Sequence, residues 1–300
     1  QPVEAAMNLV WAFNPFDDNR KLQQKALATA KALLGARDRL EAVYVASPNE
    51  IALGTAFDVP LELRFSDYPK TLVEKAVRKL GSGKKITATV LPQRELSLTA
   101  SARLFAAYLV QSGAEIALVA SHARKGVSRL FLGSFAEALV HAAKTDLLVF
   151  HEGSKALKRE PGVLLFAHDL TEQGDAGFQK ALAHAKRWKS ALHVIHVPAP
   201  SYGLHFDDQD KRVEAYRKEV GTKIKRIEAA LKRARVEGTV VIDAKWAPIS
   251  ELILARAKRV RADLLLVHAK SGRLAGFMGG SVTRQLLRAS VAPVLVLKLG

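Results

Sequence analysis

Two segments in the second half of the chain carry residue types that can bind a sugar and an anion. Asp169 follows the apolar run 163–167 with one residue between them, and an aspartate accepts hydrogen bonds from sugar hydroxyls. The segment 268–287 is rich in glycine and reaches Ser281 at the predicted start of a helix. Glycines let backbone N–H groups approach an anion, and a helix N-terminus adds partial positive charge. We expect Gly279, Gly280 and Ser281 to make these contacts.

A structural role also explains these residues. A serine after glycine is a common helix N-cap, and an aspartate before a helix often caps it. Both interpretations stay open for Ser281 and Asp169 on the sequence alone. In the first half, the segment 120–139 offers only Gly133 and Ser134 as weaker candidates.

The residue pattern does not predict catalysis or metal binding. The chain has no cysteine, and its nine histidines are scattered. His193 and His196 are three residues apart on a predicted strand, so their side chains point to opposite faces. His168 and His268 both follow predicted strands and could share one crevice, but without Cys or a carboxylate pair they do not predict a metal site. Neither a nucleophile elbow nor a full P-loop is present, so we expect a binding protein and not an enzyme.

The chain contains an internal repeat. Lys25–Lys31 (KALATAK) recurs as Lys180–Lys186 (KALAHAK) at an offset of 155 residues. Gly133–Val149 recurs as Gly280–Val296 at an offset of 147 residues. The order of the repeated segments is kept, which indicates two copies of one domain. In the second copy, the first helix is predicted over Gly177–Trp188.

Each copy alternates short apolar runs with amphipathic helical segments. The runs are continuous, which is typical of strands buried on both faces of a parallel sheet. Strands separated by helices form right-handed crossovers in a doubly wound α/β sheet. We therefore predict two tandem domains of this class, residues 1–154 and 160–300. In such a sheet ligands bind beyond the carboxyl ends of the strands, where Asp169 is expected.

This architecture resembles the universal stress protein family. The resemblance rests on a strand, a glycine-containing segment, a Gly-Ser pair that opens a helix and a closing apolar strand, in both copies. It implies flavodoxin-like domains of the adenine nucleotide alpha hydrolase type in a cytoplasmic stress-response protein. ATP-binding members carry G-x2-G-x9-G-[S/T] after the fourth strand, an Asp that contacts the ribose, and backbone after the second strand that holds the adenine. The candidates for these roles here are Asp169, Val197, Gly279, Gly280 and Ser281.

Both copies depart from the family's nucleotide motif. In the first, alanines replace the two leading glycines, and Asn14 stands where the ribose aspartate is expected. In the second, Asp169 is kept, but Val267 and Lys270 replace the leading glycines. We therefore expect ATP as a candidate ligand of the second copy, with the first copy as a degenerate structural partner.

The chain is strongly basic, and its charge is unevenly distributed. The net charge is +17, of which residues 1–152 contribute +4 and residues 153–300 contribute +13. The predicted helix Gln209–Arg235 has ten Lys or Arg residues and four Asp or Glu residues. We interpret it as a solvated amphipathic helix. The alternative is a scaffold that needs no nucleotide and associates with nucleic acid or other anions through this basic domain.

The last strand of each copy predicts how the two copies associate. Single-domain members of the family pair through this strand, which is Leu147–Phe150 in one copy and Val294–Leu297 in the other. Each would be an exposed apolar edge if left alone. We therefore predict an intramolecular pseudo-dimer with these strands side by side. The sequence contains no run of about 20 apolar residues, so it predicts no membrane span.

Overall fold

The structure is a computed structural model that describes residues 6–47, 67–81, 86–121, 134–198, 209–270 and 281–299. The first half forms β1 (Asn8–Ala12), α1 (Arg20–Leu33), β2 (Arg39–Ala46), α2 (Asp67–Lys79), β3 (Thr87–Pro92), α3 (Leu98–Gln111), β4 (Ile116–Ser121), α4 (Ser134–Ala142) and β5 (Asp146–His151). The second half forms β6 (Val163–Ala167), α5 (Glu172–Arg187), β7 (Ala191–His196), α6 (Gln209–Ala234), β8 (Val240–Ile242), α7 (Ile249–Arg259), β9 (Leu264–Lys270), α8 (Ser281–Ala289) and β10 (Val294–Leu299).

One ten-stranded sheet runs through both halves in the order β3-β2-β1-β4-β5-β10-β9-β6-β7-β8. Within each half the paired strands are parallel and follow the same order. Each half is therefore a doubly wound α/β domain, which confirms the predicted fold class. The strand order reverses between β1 and β4 in the first domain and between β6 and β9 in the second.

The helices cover both faces of the sheet in two layers. Helices α1, α2, α5 and α6 pack against one core, and α3, α4, α7 and α8 pack against the other. The strands contribute apolar side chains to both cores, because successive side chains point to opposite faces of the sheet. In β1, Leu9 and Trp11 point into the first core and Val10 points into the second. Burial on both faces explains the continuous apolar runs of the strands. In the described part of the chain, no helix has both the length and the apolar character needed to cross a bilayer.

The two domains join through their last strands, as the sequence predicts. Strands β5 and β10 pair antiparallel. Asp146 is buried at this junction and accepts hydrogen bonds from the Lys180 ammonium and from the backbone N–H of Lys298 (2.8 Å). Its second oxygen lies 3.2 Å from His184 Nε2. Burial would raise the pKa of Asp146, but these contacts outweigh it and hold that pKa below its usual value. A carboxylate of one domain is thus bound by three residues of the other.

A second pair of contacts crosses the same junction with approximate twofold symmetry. Lys298 Nζ donates to the carbonyl of Val140 at 2.6 Å, and His151 Nε2 lies 2.6 Å from the carbonyl of Ser290. Burial lowers the pKa of Lys298 to about 8. Each contact satisfies a carbonyl at the C-terminal end of α4 or α8, where helical partners are missing.

Helix α5 begins about one turn before the start predicted from the sequence. It starts at Glu172, after Thr171, whose hydroxyl accepts a hydrogen bond from the backbone N–H of Gly174 at 3.1 Å. Glu172 and Asp175 place negative charge in the first turn, where the helix dipole favours it. The sequence pattern missed this turn because it contains Gly174, and glycine weakens a helix by up to about 1 kcal/mol.

Candidate functional site

The second domain carries a cluster of polar side chains at the carboxyl ends of three neighbouring strands. Asp169 lies just beyond β6, and His268 lies near the end of β9. His196 ends β7, on the other side of β6. The cluster therefore lies where the strand order reverses, which is the position at which doubly wound sheets bind ligands.

Contacts to both carboxylate oxygens orient Asp169. Oδ1 accepts hydrogen bonds from the backbone N–H (3.0 Å) and the hydroxyl (2.7 Å) of Thr171. Oδ2 lies 3.2 Å from His268 Nε2, across the gap between β6 and β9. Burial would raise the pKa of Asp169, but the hydrogen bonds from His268 and Thr171 outweigh it and hold that pKa well below its usual range. The side chain is still 48% exposed, so the ionised carboxylate can accept further hydrogen bonds from a ligand.

Two buried histidines support the site from within the domain. His168 Nδ1 accepts a hydrogen bond from the backbone N–H of Leu170 at 2.9 Å, and the His168 carbonyl lies 2.8 Å from His196 Nδ1. His196 Nε2 lies 2.7 Å from the Tyr216 hydroxyl on α6. Burial lowers the pKa of His168 to about 4, and burial also lowers the pKa of His196. Both rings are therefore neutral near pH 7.

Helix α5 approaches this cluster closely because it has glycine at two positions. A Cβ atom added at Gly174 would lie 2.3 Å from Asp169 Oδ1. A Cβ atom added at Gly177 would lie 2.7 Å from His268 Cβ and 3.1 Å from Phe166 Cζ. Non-bonded carbon atoms prefer separations of about 3.5–4.0 Å. The two glycines therefore allow the first turns of α5 to pack directly on Asp169 and His268.

The first domain has the same turn without the charge. Asn14 follows β1 as Asp169 follows β6, and its Oδ1 accepts a hydrogen bond from the N–H of Phe16, two residues later, at 2.9 Å. The carbonyl of Asn14 accepts a second hydrogen bond from Gln23 Nε2 at 2.9 Å. An amide carries no charge. The two domains thus share a turn and differ in electrostatics at the equivalent place.

The structure places two of the candidate residues side by side. Asp169 and Val197 lie at the same level, each two residues beyond the paired Ala167 and Ile195. The side chain of Val197 is partly buried against the core between the sheet and α7. The other candidates lie at helix starts (Ser134 in α4 and Ser281 in α8) or outside the described residues (Gly133, Gly279 and Gly280).

The sequence pattern did not identify the pairing of His268 with Asp169 or the role of the α5 glycines. The pairing joins residues 99 positions apart and depends on β9 lying next to β6. One signal was present, since Gly174 and Gly177 follow Asp169 within a helical segment, where glycine marks close approach. Within the described ranges, no group of three or more His, Asp or Glu residues is arranged to hold a metal ion.

Comparison with known proteins agrees with this architecture. The model of the universal stress protein family matches the chain twice, over residues 15–151 and 162–298. A universal stress protein from Archaeoglobus fulgidus DSM 4304 has a similar solved structure, with a TM-score of 0.61 and 17% identity over 97% of this chain and 98% of that chain. A protein of unknown function from Pseudomonas aeruginosa PAO1 gives a TM-score of 0.59 and 15% identity over 98% of this chain and 93% of that chain. Both similarities extend over the two domains together.

Proposed function

Because this chain belongs to the universal stress protein family, we propose that it acts in the stress response by binding an adenine nucleotide in its second domain. The observation that carries the proposal is the ionised, oriented Asp169 beside the reversal point between β6 and β9. A carboxylate can accept hydrogen bonds from both hydroxyls of a ribose. This is the contact that the family resemblance gives to the aspartate after the first strand.

ATP is the nucleotide that we propose for this crevice. Asp169 receives the ribose, and the backbone at Val197, after the neighbouring strand, lies beside the adenine. The phosphates extend toward Gly279, Gly280 and the N-terminus of α8 at Ser281. A helix N-terminus favours this placement because its free N–H groups and its dipole attract anions.

The first domain is proposed as a structural partner. Asn14 lacks the negative charge of Asp169, and Gly133 and Ser134 are its weaker candidates for phosphate contact. Its strand β5 covers the apolar edge of β10, which would otherwise be open to pairing with another chain. We further propose a cytoplasmic location and action by binding without turnover.

Thermal unfolding with and without ATP and magnesium tests the proposal. ATP at 100 times its dissociation constant stabilises the folded protein by about 2.7 kcal/mol. In a chain of this size, that raises the melting temperature by about 4–5 °C. Asp169→Asn should lose most of this rise, because it removes the charge and keeps the turn seen at Asn14.

Asn14→Ala is the matched control and should retain the full rise. A rise that survives Asp169→Asn would place the nucleotide elsewhere. The absence of any rise in the unmodified protein would refute nucleotide binding.

A further inference from the structure

The two helix layers of the protein differ in charge. The helices α1, α2, α5 and α6 contain 20 Lys and Arg residues and eight Asp and Glu residues, a net charge of +12. The helices α3, α4, α7 and α8 contain six Lys and Arg residues and two Asp and Glu residues, a net charge of +4. Each domain contributes two helices to each layer, so the charge separates by layer as well as by domain. We call the first set the basic layer.

Many cations of the basic layer are not used to hold the fold together. Two of its arginines pair with carboxylates: Arg78 with Glu74 and Arg187 with Asp38. Ten other cations are exposed and have no carboxylate partner among the described residues. They are Lys21, Lys70, Lys75, Lys79, Lys186, Lys218, Lys225, Arg226, Lys232 and Arg233.

Helix α6 arranges five of these cations on its side away from the core. Among the described side chains of α6, those of Val220, Ile227 and Leu231 are buried and face the core. Lys218, Lys225 and Lys232 recur every seven residues, so they form a line on the exposed side at intervals of about 10.5 Å. Arg226 and Arg233 form a second line beside it. Between residues 218 and 233, the exposed surface of α6 therefore carries two lines of cations, with Glu228 as an exposed carboxylate beside them.

We propose that the basic layer binds the phosphate backbone of double-stranded nucleic acid without reading its sequence. Lys and Arg residues that neutralise phosphates release condensed counterions, and this release drives binding that does not depend on sequence. The ten strands beneath the layer span nine spacings of about 4.8 Å, or roughly 43 Å. One turn of duplex DNA measures about 34–36 Å. The layer is thus wide enough to contact phosphates over a full turn.

The composition of the layer favours a duplex over single strands or a membrane. Proteins that bind single strands stack bases on aromatic side chains, and helices that bind membranes insert apolar side chains. The large apolar side chains exposed in the described residues are Phe16, Leu96, Leu98, Val110, Trp246 and Val291. None of them belongs to a helix of the basic layer. Helices α5 and α6 of this layer also border the Asp169 crevice, but the ten exposed cations named above make none of the contacts described there.

The experiment measures fluorescence anisotropy of a labelled 30-base-pair duplex of random sequence with the full chain, from 50 to 200 mM salt. One variant removes four cations of α6 (Lys225→Gln, Arg226→Gln, Lys232→Gln and Arg233→Gln). The control variant removes four exposed cations on or next to the opposite layer (Arg103→Gln, Lys258→Gln, Arg259→Gln and Arg261→Gln). Both variants lose the same net charge, and circular dichroism checks that both remain folded.

We expect the unmodified protein to bind the duplex at 50 mM salt and to lose affinity steeply as salt increases. Each phosphate contact that is removed should flatten the slope of log K against log salt by about 0.9. The α6 variant should therefore lose up to about 3.6 of this slope and bind at least tenfold more weakly at 50 mM salt, whereas the control variant should change little.

Four results would overturn the proposal: no binding at 50 mM salt, equal weakening by both variants, tighter binding of a single strand of equal charge, or binding of phosphatidylserine vesicles in place of the duplex.

Discussion

Replacing Gly177 by alanine tests whether α5 keeps a glycine there to make room for His268. In a solvent-exposed helix, exchange of glycine for alanine stabilises by up to about 1 kcal/mol. Here the new Cβ would lie 2.7 Å from His268 Cβ and 3.1 Å from Phe166 Cζ. His268 Cβ is fixed to the backbone of β9 and cannot rotate away. Either the helix or the strand must therefore shift, and such overpacking costs about 1–3 kcal/mol.

Gly221 in α6 provides a matched control in the same chain. A Cβ added there meets no atom within 4 Å, so Gly221→Ala should stabilise the protein by the ordinary helix preference. We expect Gly177→Ala to have a free energy of unfolding roughly 1–3 kcal/mol below that of Gly221→Ala. Urea denaturation followed by circular dichroism measures both variants. If Gly177→Ala proved as stable as Gly221→Ala, the close approach of α5 to His268 would be wrong.

Two further predictions concern the buried charges. The pKa of His168 is about 4 in the folded protein and 6.5 unperturbed. As pH falls, His168 is therefore protonated in the unfolded chain before it is protonated in the folded protein. The stability that neutral His168 contributes above pH 6.5 is lost as pH falls toward 4. Between pH 6.5 and pH 5, His168→Asn should reduce the loss of unfolding free energy by up to about 2 kcal/mol, measured from urea midpoints. Asp169, Asp175, His196 and His268 also face the ring and are present in both proteins. If the variant and the unmodified protein had the same dependence of stability on pH, the prediction would be wrong. Asp146→Ala should destabilise by roughly 3 kcal/mol or more, because it leaves the Lys180 ammonium and the buried backbone N–H of Lys298 without their acceptor. The control Glu137→Ala breaks an exposed pair with Arg284 and should cost less than about 1 kcal/mol in the same assay, so equal losses would refute the role of Asp146.

The fold could be predicted from the sequence because its signals are local and repeated. The apolar runs and helical periods give nearly every strand and helix that the structure describes, with bounds that differ by a few residues. The adjacency of β5 and β10 also followed, because an apolar last strand in each copy must be covered. Helix α5 is the exception, because its two glycines are unfavourable for a helix and are explained by packing: Gly174 leaves room for Asp169, and Gly177 leaves room for His268.

The candidate site could be predicted only where a residue's position along one strand determines its place. Asp169 and Val197 fall at the carboxyl ends of neighbouring parallel strands, so their proximity follows from the strand order. The contact between His268 and Asp169 depends on the packing of β9 against β6 and of α5 on both. The separation of charge into layers was likewise hidden, because it depends on which face of the sheet each helix covers.

Equilibrium dialysis of radiolabelled ATP with magnesium tests the central claim most directly, because it counts the bound nucleotides. The proposal predicts one ATP per chain at saturation. After Asp169→Asn the affinity should be at least tenfold lower, because a neutral amide replaces the charged carboxylate that accepts the hydrogen bonds. Asn14→Ala should leave both the number and the affinity unchanged. Two bound nucleotides, none, or one bound with unchanged affinity after Asp169→Asn would contradict the assignment of the second domain as the nucleotide-binding half.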